Sequence, residues 1–140
     1  MGFWIFMLIM NLMIPLIMIG FGKIFLKWAP KEINPLFGYR TNMSMKNQDT
    51  WQFAHHCFGK WWYWSGIFLI PVSVIPMLFV TDAGEAAVGI VGGVTCTFEC
   101  IGLIIPVFFV EKALKQVFDS DGKRKCVQEE RQQWPDSKKK

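Results

Sequence analysis

Three long apolar stretches, separated by polar passages of very unequal length, set the pattern of this chain. Residues 3–22, FWIFMLIMNLMIPLIMIGFG, carry no charge. At ~1.5 Å per residue they reach ~30 Å as a helix, the thickness of a hydrocarbon core. Similar stretches follow at 61–80, WWYWSGIFLIPVSVIPMLFV, and 87–110, AVGIVGGVTCTFECIGLIIPVFFV. The connection from Thr81 to Ala86 is short, with Asp82 and Glu85 as its only charges, so the second and third helices are expected to be antiparallel neighbours. No positive n-region precedes the first stretch and no small-x-small site follows it, which argues for a retained span over a cleaved signal peptide.

The passage between the first two spans has its own organisation. Pro30 and Pro35 stop the first helix, and NPLFGYRT reads as extended or turn structure in which Gly38 is free to adopt positive φ. Asn47 is placed to cap a new helix, with Asp49 in its first turn, and Trp51, Ala54, Phe58 and Trp62 then recur at helical spacing. An amphipathic helix lying along the inner membrane surface is expected here. After the third span, EKALKQVF continues as a helix, with Glu111 and Lys115 at i and i+4, until Asp121-Gly122 breaks it. The fold class that follows is all-α: three transmembrane helices plus a cytoplasmic interfacial amphipathic helix between the first and second. Residues 1–118 form a single membrane domain, with the polar motif at 34–60, and residues 119–140 a polar cytoplasmic tail, expected to be mobile from Asp121-Gly122 onward.

Charge orients this layout. Of the fifteen Lys and Arg residues, six lie between 23 and 60, nine lie from 112 onward, and none lies in 1–22 or 61–111. The positive-inside bias then puts the N-terminus and the 81–86 turn outside, and 23–60 and the C-terminal tail in the cytoplasm. A net charge of +4 in a chain that is 52% apolar and 16% aromatic fits anchoring beside anionic lipid, and no aromatic-interleaved basic face points to nucleic acid. Trp28, Trp61, Trp62 and Trp64 fall near the inner headgroup layer. Cys57 and Cys126 are on the reduced cytoplasmic side, and Cys96 and Cys100 lie inside the third span, so no disulfide framework is expected.

Few residues could carry chemistry. Glu99 is the most expensive, a carboxyl near mid-membrane with Thr95 one turn before it; it is either a neutral packing group or part of ligand, ion or toxin handling. Asn11 is an interhelical hydrogen-bonding group in the first span. Gly89-x-x-x-Gly93 offers a small-residue face for a second helix, within the chain or in another copy of a homo-oligomer. His55 and His56 point about 100° apart on a helix, so they do not share one small site. With no H-E-x-x-H, G-x-S-x-G or phosphate loop, neither enzyme activity, nor a cofactor, nor a metal is expected.

Taken as a pattern, the polar passage runs Asn34, three residues, Gly38, one residue, Arg40-Thr41, then Ser44-Met45, Asn47 to Asp49, Trp51, and His55. This order and spacing resembles the signature of the SdpI family, integral membrane proteins named for an immunity protein that protects sporulating cells from their own secreted toxin. Asn34, Gly38, Arg40, Thr41, Trp51 and His55 fit it position by position. Asn42 stands where a Pro is usual, Gln48-Asp49 where two acids are frequent, and His56 where a basic residue is frequent. The resemblance extends over roughly residues 30–110, and the chain is similar to short, three-helix members.

What the resemblance implies is a bacterial plasma-membrane protein conferring immunity or tolerance to a membrane-active antimicrobial peptide, with the bilayer, a secreted toxin peptide and a cytoplasmic regulator as partners. The binding candidates are the six motif residues and Lys60. Arg40 pairs either with Asp49 or Glu111 or with a lipid phosphate or ligand. A small transporter or channel-like subunit built on Glu99, and a membrane enzyme using Arg40, His55 and Glu99, are the alternative functions.

Overall fold

The structure, a computed structural model of the chain, describes residues 1–28, 31–33 and 36–125. It consists of three long helices, α1 (Gly2–Lys27), α2 (Gln48–Leu78) and α3 (Glu85–Val117). All three are long and apolar enough to cross a membrane. Pro15, Pro71, Pro76 and Pro106 lie inside helices without ending them, as is common where neighbouring helices support the backbone.

The bundle buries several polar side chains beside its apolar core and exposes large apolar ones on its flanks. Asn11, Ser73, Thr95 and Glu99 are buried, whereas Phe6, Ile9, Leu16, Phe68, Phe98 and Phe108 are exposed on the helix flanks. Such a surface is stable against hydrocarbon and costly against water, because a continuous apolar exterior has nothing to bury it in solution. Membrane insertion therefore follows from the packing as well as from helix length.

Close backbone contact between α1 and α2 depends on glycine. A Cβ at Gly22 would sit 2.6 Å from the Tyr63 nitrogen, one at Gly66 2.9 Å from the Pro15 carbonyl oxygen, and one at Gly59 3.0 Å from the Gly22 carbonyl oxygen. These contacts, with the Trp4 indole donating to the Met77 carbonyl at 2.7 Å, run α1 and α2 antiparallel. The Trp4 bond also satisfies one of the carbonyls left open at the end of α2. α3 returns beside α2, with Trp61 stacked on Phe109 at 4.7 Å between centroids and Leu69 against Gly102. The C-terminal ends of α1 and α3 and the N-terminal end of α2 thus share one end of the bundle, and every Lys and Arg among the described residues lies at or near it.

Two expectations change, and the contact of α3 with α1 falls at a glycine outside the expected motif. The helix expected along the membrane surface is not separate from the second span: Gln48–Leu78 is one helix of 31 residues, about 46 Å long at ~1.5 Å per residue. Nothing between Lys60 and Trp61 breaks the hydrogen-bond ladder, and the apolar stripe of Trp51, Ala54 and Phe58 is buried against the chain itself. Within the chain, α3 meets α1 through Gly92, where a Cβ would lie 2.4 Å from the Met7 methyl carbon; Gly93 has nothing within 4 Å and Gly89 only an ordinary contact with Phe3. The polar segment from 119 onward is docked, not free, over residues 119–125, since Phe118 bridges to Arg124 around a turn in which Gly122 has φ 79. Residues 126–140, expected as the rest of the tail, lie outside the described residues, as do Pro30 and Pro35.

Candidate functional site

The loop that enters α2 is folded onto the first turns of that helix. Gly38 has φ 127, a conformation that side-chain-bearing residues rarely adopt. A Cβ there would also lie 2.3 Å from His55 Nε2 and 3.0 Å from the Trp51 ring, so the site has no room for one. The close approach lets the Tyr39 N–H donate to His55 Nε2 at 2.8 Å, with both residues buried. Because Nε2 accepts, the ring hydrogen resides on Nδ1, which donates to the Trp51 carbonyl at 2.8 Å. His55 is thus a neutral imidazole held at both nitrogens, its ring 4.2 Å from that of Trp51 and edge-on to Phe25 at 5.3 Å.

The next turn is closed by small hydroxyl residues. Thr41 and Ser44 exchange bonds, N–H to hydroxyl at 2.9 and 3.2 Å, and the Ser44 hydroxyl reaches the Tyr39 carbonyl at 2.9 Å. Asn47 and Thr50 then form a reciprocal cap in which each side chain accepts from the other's backbone N–H, at 2.9 and 3.1 Å. These two turns therefore satisfy polar groups of their own, which is the condition for burying them.

Two clamps tie this unit to the rest of the bundle. The Tyr39 hydroxyl lies 3.2 Å from both the Val107 carbonyl and Glu111 Oε1 on α3. Burial, reinforced by the Glu111 carboxylate, pushes the Tyr39 phenol well above its ordinary value. From the C-terminal side, Asn47 Nδ2 donates to the Gly122 carbonyl at 2.5 Å, Lys46 donates to the Ser120 carbonyl, and Arg124 grips the Asp49 carboxylate with two bonds of 2.6 and 2.7 Å. Phe53 packs edge-on to Phe118 beneath them.

The structure therefore joins Gly38, Thr41, Trp51 and His55 in one unit. Arg40, next to Tyr39, turns outward and is exposed. Neither expected carboxylate pairs with it among the described residues: Asp49 is gripped by Arg124, and Glu111 Oε1 accepts from Tyr39. Trp51, expected at the lipid interface, is fully buried. Lys60 stands apart on α2, lining a shallow pocket of about 370 Å³ with Cys57, Trp61 and Trp64. His56 is exposed while His55 is buried, as their angular separation requires. Asn34 lies outside the described residues.

A second polar locus lies inside the bundle. Glu99 is fully buried and its Oε1 is 2.6 Å from the Ser73 hydroxyl, which is also 2.9 Å from the Leu69 carbonyl. A serine hydroxyl carries one hydrogen, so both contacts are hydrogen bonds only when the carboxyl supplies the second. Glu99 Oε2 and Asn11 Nδ2 are buried with no partner among the described residues. Thr95 is buried on the same helix, one turn away.

Sequence reading missed Tyr39, Ser73 and Arg124. Tyr39 lies between the glycine and the arginine of the motif, and that position was a usable signal. Ser73 and Arg124 carried none, since their partners are 26 and 75 positions away along the chain. Among the described residues no cluster of His, Cys, Asp and Glu is arranged to hold a metal ion.

Compared with known protein families, residues 31–110 match the SdpI/YfhL protein family. No curated protein and no solved structure matches the chain.

Proposed function

The chain belongs to the SdpI/YfhL protein family, and from that premise we propose that it confers tolerance to a membrane-active antimicrobial peptide, acting by binding and not by catalysis. The observation that carries this reading is the motif unit. It falls inside the matched residues and links all three helices, through the packing of Phe25 on His55 from α1, the body of α2, and Tyr39 on α3. A peptide that shifts the helices from the outer side or within the bilayer would be felt at this unit, and a cytoplasmic regulator could read the change there.

The topology proposed with it follows the charge. The N-terminus and the 79–84 turn face outward, and the basic end, with the loop and docked C-terminal segment, faces the cytoplasm of a bacterial cell. The first turns of α2 then stand at the inner headgroup layer. Association into a homo-oligomer fits the exposed small residue Gly93 on α3.

The experiment is expression in peptide-sensitive bacteria, followed by challenge with secreted membrane-active peptides. Survival should rise with the wild-type chain and fall back with Gly38→Val, assayed at equal membrane abundance. Equal killing with and without the chain, for every peptide tried, would defeat the proposal. A transport reading is favoured by one feature, the buried Glu99 oxygen without a partner among the described residues. Proteoliposome flux that disappears in Glu99→Gln would support that second reading.

A further inference from the structure

Beneath the Gly38 turn, the cytoplasm-proximal half of α1 borders a groove of about 510 Å³. That volume lies in the ~300–1,000 Å³ range of small-molecule sites. Ile17, Phe21 and Phe25, each four residues apart, form one wall, and Phe37 and Trp62 contribute to the rest, with Arg40 among the lining residues. Its walls suit hydrocarbon. The Arg40 guanidinium suits an anion.

Arg40 makes no ion pair with a carboxylate among the described residues. An exposed guanidinium beside an apolar wall suits a molecule that brings anionic oxygen atoms and a hydrocarbon chain together. Lys23 and Lys27, on the last turns of α1, add positive charge at the same end of the bundle, where anionic headgroups concentrate.

We propose that this groove binds an anionic glycerophospholipid, its phosphate held by Arg40 and one acyl chain lying along Ile17, Phe21 and Phe25. The guanidinium presents paired donors that match two phosphate oxygens. Charge complementarity selects the occupant: zwitterionic lipid offers the same chain but adds a cation beside Arg40. The site stands independently of peptide tolerance, since a bound lipid would be present in a chain that protects cells or one that does not.

The test uses the full chain, purified in a neutral detergent and titrated with phosphatidylglycerol or phosphatidylcholine of identical acyl chains, with native mass spectrometry as the readout. One phosphatidylglycerol should bind per chain, about tenfold or more tighter than phosphatidylcholine, and Arg40→Gln should remove about that factor while Arg40→Lys keeps part of it. Ile17→Trp, which narrows the groove, should weaken both lipids. Arg40→Gln should melt with the wild type in lipid-free detergent, which separates loss of binding from loss of fold. Equal binding of the two lipids, or unchanged affinity in Arg40→Gln, overturns the proposal. Glycerol phosphate binding as tightly as the whole lipid overturns the acyl-chain part. Displacement of phosphatidylglycerol by a lower concentration of an apolar peptide with a free carboxylate reassigns the groove to a peptide and overturns it too.

Discussion

At the residue scale, two positions carry most of the motif's physics. Gly38→Ala places a Cβ in a positive-φ backbone and 2.3 Å from His55 Nε2, so both strain and overlap oppose it. The expected loss is about 2–4 kcal/mol, visible as a lower unfolding midpoint of the purified protein in detergent. Tyr39 makes the second case, through pH. Its phenol is held above the ordinary value near 10 by burial and by Glu111, so it stays a neutral donor in the fold. A raised folded value contributes stability that is complete below the unfolded value and is lost as pH climbs through the folded one. Stability should therefore fall as pH rises above about 10, and Tyr39→Phe should flatten that alkaline decline. A decline of the same steepness in Tyr39→Phe would rule out the phenol as its source. Of these details, Gly38, Trp51 and His55 were legible in the chain as a spacing. Their mutual contact was not, because spacing tells which residues recur together and not which atoms meet.

At the element scale, helix contact separates glycines that look alike in sequence. Gly22 lies where a methyl group would meet the Tyr63 backbone at 2.6 Å, and Gly93 lies where it would meet nothing. Gly22→Ala should cost about 1–3 kcal/mol by forcing α1 and α2 apart, while Gly93→Ala should stay within about 0.5 kcal/mol in the monomer. Thermal melts of the two variants in mild detergent check this, and comparable losses in both would mean that Gly93 is packed against another copy. The sequence offered Gly89-x-x-x-Gly93 as the evident packing motif. Within the described chain the close contacts fall at Gly22, Gly59, Gly66 and Gly92, because contact is set by which helix faces which, and a three-helix arrangement chooses that collectively. The continuous α2 has the same origin: an amphipathic stripe that reads as membrane-facing finds a protein surface once the loop and α1 fold over it.

At the scale of the whole molecule, the basic end is what supports the proposed orientation. Reporter domains placed after Asp82 should be active outside the cytoplasmic membrane, and reporters placed after Lys125 should be active inside. The reverse result would invert the proposed topology and put the motif unit on the outer face. The docked segment 118–124 belongs to this scale as well, since Arg124 reaches Asp49 across the end of the bundle and Asn47 caps toward Gly122. Together with the Tyr39 bonds to α3, it makes the basic end of the bundle a single cross-braced layer.

Length and hydropathy alone determined three membrane-crossing helices, because a bilayer of fixed thickness admits few other ways to satisfy twenty apolar residues in a row. The order of polar residues determined the family motif, because that order is local to one loop and one helix start. Only the tertiary structure decided what surrounds Arg40, which oxygen Glu99 meets, and that residues 119–125 are docked. Those outcomes join residues 26 to 75 positions apart, and pairing at such separations depends on how helices cross, which no local pattern encodes.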